Sequence, residues 1–304
     1  MPRYSIIVPC RNAEDTLPLT LQSLCDQTFT DWEALLVDDG STDATRLLLD
    51  AAATTDPRFR VIAGLGAGPA VARNMAMTVA RGEILAFCDA DDMWAPEKLA
   101  RLDVGFADGG IAALYSRIAF FDEGAVRTLS RIPEGPLTVP QLLGENPVCT
   151  MSNIAVRTDV FAETGGFDET MVHNEDLEWL IRLVAAGHRT VGVGEVLTFY
   201  RTSPTGLSAD LASMRRGREA ALATARALGY RPARRHEAIH LRYLARRALR
   251  VDAPGAEALR FVLAGLRHSP SAYFSCPRRG VLTLAGAIAA PFLPRRLRRF
   301  LFAS

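Results

Sequence analysis

The chain has 304 residues, of which 49% are hydrophobic and 23% charged, a globular composition that excludes collagen-like, low-complexity and intrinsically disordered chains. That length suffices for one large domain, or one domain with an appendage. The formal net charge of +1 conceals a division: residues 1–200 carry 15 basic and 29 acidic side chains, while residues 201–304 carry 20 and 5. An acidic part suits a metal cation, and a basic part suits an anionic surface.

From the N-terminus, Ser5-Ile-Ile-Val-Pro9 is too short for the apolar core of a secretion signal, so export by that route is not expected. Apolar runs at 4–8, 34–37, 60–63 and 84–88 predict buried strands, and helical periods fill 16–25, 44–53 and 69–80. This alternation implies an α/β chain with a parallel sheet covered on both faces. Ligands of such sheets sit at the carboxyl ends of the strands. Asp38-Asp39 and Asp89-Ala90-Asp91-Asp92 stand at two of those ends.

Further on, 112–121 predicts a strand, 131–147 a Pro- and Gly-rich loop over one face, and 154–156 a short strand. A turn at 164–168 leads to an amphipathic helix over 174–186 with Glu175 and Asp176 in its first turn, and 198–201 closes the sheet. Strands then stop. Arginine-rich helices are expected at 211–228, 237–250 and 256–267, with turns at Gly229 and Pro254-Gly255. Residues 281–293 are apolar but too few to span a bilayer, which needs about 20. Arg295-Arg-Leu-Arg-Arg299 beside Phe300-Leu-Phe302 suits an interfacial anchor or packing against the rest of the chain. The expected division is therefore a catalytic region at 1–205 and a helical region at 206–304. Five scattered cysteines without a C-x-x-C pair (Cys10, Cys25, Cys88, Cys149, Cys276) predict reduced, mostly buried thiols in a cytosolic protein.

The acidic groups admit two readings each. Asp89 and Asp91, one residue apart after a strand, suit a hard divalent cation with oxygen ligands, or else cap the helix near Pro96. Asp38 to Asp43 suits a base or ribose, or else caps the next helix through Ser41 or Asp43. Arg73 suits a phosphate, or else solvent. Glu175 and Asp176 suit a general base, or else simply complement a helix N-terminus.

Taken together, five segments in order resemble glycosyltransferase family 2, the inverting transferases of GT-A fold, over about the first two-thirds of the chain. They are Ser5-Ile-Ile-Val-Pro-Cys-Arg-Asn12, Leu36-Val-Asp-Asp-Gly-Ser-Thr-Asp43, Ala72-Arg-Asn-Met-Ala76, Arg81-Gly-Glu-Ile-Leu-Ala-Phe-Cys-Asp-Ala-Asp-Asp92, and Gly165-Gly-Phe-Asp-Glu169 leading to Glu175-Asp176. The resemblance implies a Rossmann-like, mostly parallel sheet flanked by helices. It implies a donor-nucleotide site at Pro9, Arg11, Asp39, Arg73, Asp89 and Ala90, and Mn²⁺ or Mg²⁺ on Asp91. Asp176 would be the catalytic base, with Glu175 its closest competitor. The donor would be a nucleotide sugar, UDP-linked by preference, and the acceptor a sugar, glycolipid or glycoprotein in cell-surface glycan synthesis. The expected place of work is the cytoplasm, at the inner face of the membrane where the basic tail touches lipid.

One departure stands out. Many relatives have Tyr-Arg-x-His-Pro after the last core strand, whereas this chain reads Tyr200-Arg201-Thr202-Ser203-Pro204, and His173 and His188 read as surface or helix-end residues rather than replacements. A sugar nucleotidyltransferase would need an N-terminal Gly-rich phosphate loop, and the only Gly-rich run is Gly64-Leu-Gly66-Ala-Gly68. A non-catalytic nucleotide- or glycan-binding module would tolerate loss of the acids, all of which are present. Nucleic acid is not an expected partner, because the basic tail has few aromatics to stack bases.

Overall fold

The computed structural model describes residues 1–122, 125–202, 210–251 and 253–302. Strands β1 (Tyr4–Cys10), β2 (Trp32–Asp38), β3 (Phe59–Ala63) and β4 (Ile84–Phe87) alternate with helices α1 (Leu17–Cys25), α2 (Thr45–Thr55) and α3 (Pro69–Met77). The central strands are apolar on both faces, as a doubly covered parallel sheet requires. Ile7, Leu35 and Leu85 point into one core, and Ile6, Val8, Leu36 and Ala86 into the other. Parallel pairing gives the order β3-β2-β1-β4. Chain crossovers leave β1 in opposite directions, which opens a crevice at the carboxyl ends of β1 and β4.

The second half of the sheet is mixed. It is built from β5 (Met93–Trp94), β6 (Ala113–Asp122), β7 (Ala125–Leu129), β8 (Ile154–Arg157) and β9 (Thr190–Arg201), with α4 (Lys98–Phe106) between β5 and β6. β8 pairs antiparallel with both β4 and β6, while β9 runs parallel to β6 with register shifts at Ser116, Arg117 and Ile118. The shifts let β9 curl back to pair with β5, Met93 opposite Phe199. That curl brings Arg201 against the acidic strand end.

Several elements depart from the expectation. Residues 131–147 are not all loop: α5 (Val139–Gly144) lies within them, buries Leu142 and Leu143, and has Gln141 Oε1 accepting from the Thr138 amide at 2.8 Å. α6 (Thr158–Glu163) and β7 were not expected either. α7 (Glu175–Ala185) buries Leu177, Trp179, Leu180, Ile181 and Leu183 beneath the sheet.

α8 (Leu211–Ala227) belongs to the same core through Ala221, Leu222 and Ala225. α9 (Arg234–Arg250), α10 (Gly255–His268), α11 (Pro270–Tyr273) and α12 (Pro277–Ala289) gather round a third core, and α13 (Arg295–Phe302) follows. None of the described helices is long and apolar enough to cross a membrane. The cysteines are free, and only Cys10 and Cys88 are buried; Cys25 and Cys149 are exposed, against the expectation of mostly buried thiols. Ser203 and Pro204, and the expected boundary at 205/206, lie outside the described residues.

Candidate active site

A cleft of about 1510 Å³ lies over the carboxyl ends of β1 and β4, and it gathers every candidate residue: Pro9, Arg11, Asp39, Arg73, Asp89, Ala90, Asp91, Glu175 and Asp176 all line it. Its volume exceeds the ~300–1,000 Å³ of a pocket for one small ligand, leaving room for two substrates.

The motifs hold one another in place. Asp39 is buried, and its two oxygens accept from the amides of Ala67 and Gly68 at 3.2 and 2.8 Å, fixing the Gly-rich loop at the cleft rim. Arg11 is exposed and donates to the Gly66 carbonyl at 3.3 Å. The N-cap of α2 is Ala44, not the expected Ser41 or Asp43, although Asp43 does accept from the Thr45 amide at 2.9 Å from one residue further out. The Ala90 carbonyl accepts from Thr16 and Thr20, both at 3.0 Å. Asn74 clasps the backbone of Phe167 with both ends of its amide, which is why the Gly165-Gly166 turn sits against α3.

Asp89, Asp91 and Asp92 are held from below. The Ser152 hydroxyl accepts from the Asp89 amide at 2.9 Å, and the Ser152 carbonyl takes both Trp94 Nε1 and Lys98 Nζ, at 2.9 and 2.7 Å. Lys98 is wholly buried, and burial pulls its amine down to about 7. Asp92 is also wholly buried and accepts from the Arg201 amide at 2.9 Å; burial, then Asp91 and Asp89, push its carboxyl well above the usual range. Asp91 faces the cleft, where burial and the neighbouring Asp89 raise its carboxyl to about 6.

Arg73 joins the two ends of the site. The residue is only 4% exposed, and its guanidinium lies between Asp89 and Glu175, at 2.7 and 2.8 Å. Burial acts to lower its pKa, but Asp89 and then Glu175 outweigh that and hold it above the ordinary arginine value. Glu175 is thereby committed to an ion pair. Its neighbour Asp176 lines the cleft, and Asn146 Nδ2 donates to its Oδ2 at 3.1 Å. Burial and the adjacent Glu175 push the Asp176 carboxyl up to about 7, the range in which a general base accepts a proton efficiently at neutral pH.

Several site residues were not singled out from sequence: Lys98, Asn146, Thr150 and Ser152. Thr150 donates to Asp89 Oδ2 at 3.2 Å. Backbone strain marks the same cleft. Among the described residues, the non-glycine positions with left-handed backbone are Asn12, Cys149 and Asn174 (φ of 48°, 68° and 61°), and all three line it. Asparagine at such a position is a readable signal, because it tolerates that conformation; cysteine is not.

Residues 5–165 match the sequence profile of Glycosyl transferase family 2. The chain belongs to this family, and it is a glycosyltransferase. A UDP-Glc:α-D-GlcNAc-diphosphoundecaprenol β-1,3-glucosyltransferase of Escherichia coli is 30% identical over 210 residues, covering 68% of this chain and 79% of that one. The family fold is shared with Staphylococcus aureus TarS 1–349 in complex with UDP, at TM-score 0.61 and 19% identity over 94% of this chain and 90% of that one. It is also shared with the mannosyltransferase PcManGT of Pyrobaculum calidifontis in complex with GDP-Man and Mn²⁺, at TM-score 0.56 and 20% identity over 99% and 84%. This family 2 chain thus has the GT-A architecture, with a helical C-terminal region completing one wall of the cleft.

Proposed function

We propose that this glycosyltransferase moves a hexosyl group from a nucleoside-diphosphate sugar, UDP-linked by preference, to an acceptor hydroxyl with inversion at the anomeric carbon. The observation that carries this reading is the pairing of a cleft-facing Asp176 with the Asp89-to-Asp92 cluster through one buried arginine. Pro9, Arg11, Asp39 and Ala90 line the nucleotide end, with Asp89 near the ribose. Asp176 takes the proton from the acceptor hydroxyl as its oxygen attacks the anomeric carbon from the face opposite the departing diphosphate. Arg73 and Asn146 hold Glu175 and Asp176 in place. No enzyme nucleophile takes part.

The donor set suits Mn²⁺ or Mg²⁺. Among the described residues no three His, Cys, Asp or Glu side chains gather round one point, and such cations bind through one or two carboxylates plus substrate phosphates. Asp91 is the carboxylate that would hold the ion, which, when bound, neutralises charge developing on the diphosphate. A thermal-shift panel of nucleoside diphosphates with and without Mn²⁺ tests the assignment. UDP should raise Tm only with metal, and Asp91→Ala should abolish the shift. No shift with any nucleotide would sink the donor site.

The acceptor in this reading is a lipid-linked sugar used in cell-surface polysaccharide assembly; the Escherichia coli relative is named for a GlcNAc-diphosphoundecaprenol acceptor. The outer face of α12 supports work at the inner membrane surface: Val281 and Ile288, then Phe292 beyond its end, are exposed at helical spacing, Phe292 by 85%. Such a stripe, followed along the chain by the arginine-rich segment 295–299, suits an anionic bilayer. Cosedimentation with phosphatidylglycerol vesicles should occur and should be lost in Ile288→Ser/Phe292→Ser. Equal binding by that variant would remove the membrane assignment.

A further inference from the structure

α9 has two unlike faces, one packed into a core and one turned to the cleft. Ala238, Leu241, Leu244, Ala245 and Ala248 pack into the third core. The opposite side carries Arg235, Arg242, Arg246 and Arg250, in steps of seven, four and four residues, and this stripe lines the cleft. Five of the six carboxylates lining the cleft (Asp39, Asp89, Asp91, Glu175, Asp176) belong to the donor and base cluster. The sixth, Glu145, stands at the end of α5 and faces Arg242, Arg246 and Arg279 at 3.4, 3.5 and 3.4 Å. Three guanidiniums therefore share one carboxylate, none at close ion-pair distance; Arg242 is held besides by the Tyr273 carbonyl at 2.8 Å and the Ser275 hydroxyl at 3.2 Å, neither of which carries charge. Arg250 lies against neutral groups, the Thr128 hydroxyl at 3.3 Å and the face of Phe120. The arginines burden one another: burial, then Arg246 and Arg247, pull Arg250 down to about 10.

Cations inside a fold cost free energy unless an anion meets them. Here the excess faces open volume, and planar guanidiniums match phosphate oxygens in pairs. The excess also lies on the base side of the cleft. Glu145 is followed directly by Asn146, which donates to Asp176 at 3.1 Å, and adjacent Cα atoms are only ~3.8 Å apart.

We infer that Arg242, Arg246 and Arg279 form an anion site for the acceptor, taking the phosphate or diphosphate attached to the sugar whose hydroxyl meets Asp176. This assignment rests on the proposed transferase reading with its lipid-linked acceptor, and it locates the site by which acceptors carrying phosphate at the reducing end would be taken in preference to neutral glycosides.

The test separates the two. Calorimetric titration of an alkyl diphosphate-linked N-acetylhexosamine reads the site without turnover. Wild type should bind it at least tenfold more tightly than the alkyl glycoside of the same sugar. Arg246→Ala/Arg279→Ala should lose tenfold or more of that affinity while keeping the metal-dependent Tm shift with UDP. In transfer assays the KM ratio between the two acceptors should collapse toward one. Inorganic pyrophosphate as competitor sorts the source: competition at similar concentration points to the free anion, and much weaker competition points to the linked one. Removing mutually repelling cations should leave Tm unchanged or raised, so loss of binding would not be loss of fold. Equal affinity of wild type for both acceptors overturns the inference, and so does disappearance of the UDP shift in the double variant, which would place the arginines on the donor's diphosphate. Absence of a UDP shift in wild type, with diphosphate binding intact, overturns the donor reading alone.

Discussion

On the sheet side of the cleft, charged groups are committed to partners within the fold: Arg73 to Asp89 and Glu175, Asp39 to two amides, Asp92 to the Arg201 amide. On the helical side, Arg242, Arg246 and Arg279 share Glu145 at 3.4 to 3.5 Å. The first wall is organised before any substrate arrives, as electrostatic catalysis requires. The second is left with excess charge that a ligand would complete. The chain's net charge of +1 hides this contrast.

The contrast can be broken most severely at the proposed base. Asp176→Asn should cut kcat by about 10²–10⁴-fold, measured with saturating donor and acceptor, whereas Glu175→Gln should act mainly by loosening Arg73. An equal kcat loss in both, with Arg73 still in place by crystallography, would exchange their roles. Next comes Arg73→Met, which strands two carboxylates. Denaturant unfolding should show a loss of about 3–5 kcal/mol, while Arg246, which among the described residues meets only Glu145, at 3.5 Å, can be replaced at little cost. Gly217→Ala should follow: a Cβ there would stand 2.1 Å from the His173 carbonyl oxygen. The base-bearing turn must then shift, and a loss of about 1–3 kcal/mol together with reduced kcat is expected.

The smallest effect sharpens the comparison through pH. Because the folded Asp176 titrates near 7, above the ~3.9 of an unfolded aspartate, its stabilising contribution is full below pH 4 and lost as pH rises through 7. Asp176→Asn should therefore melt a few degrees higher than wild type at pH 8 and level with it at pH 4. Transfer by wild type should run the other way, rising up to about pH 7 and then levelling, since the base must be ionised.

Much of the sheet wall was readable because strand ends and acidic clusters coincide in sequence: the runs ending at Val8, Val37 and Cys88 lead straight into Pro9, Asp38-Asp39 and Asp89. β9 was read only at its end, since Gly192 and Gly194 weaken the local signal and pairing with β6 supplies the rest. α5 did announce itself, through Thr138 and Gln141 three residues apart, but the surrounding prolines and glycines outweighed that sign. The role of Arg73 was not legible, because its partners lie 16 and 102 residues away. Nor was the direction of the α9 stripe: an amphipathic pattern is the same whether its polar face meets water, lipid or a cleft.

The contact between α8 and the turn before α7 bears on how this enzyme can be cut or recombined. Asn174 Nδ2 donates to the Met214 carbonyl at 2.8 Å, Thr224 donates to Glu178 at 3.0 Å, and Gly217 sits against His173. A fragment ending at residue 205 would thus lose the buttress of its proposed base and expose the apolar side of α7, and should be recovered as aggregate. A chimera that exchanges acceptor preference should instead be joined at the turn after α8, near Gly229, so that α8 travels with the sheet and α9 with the new specificity.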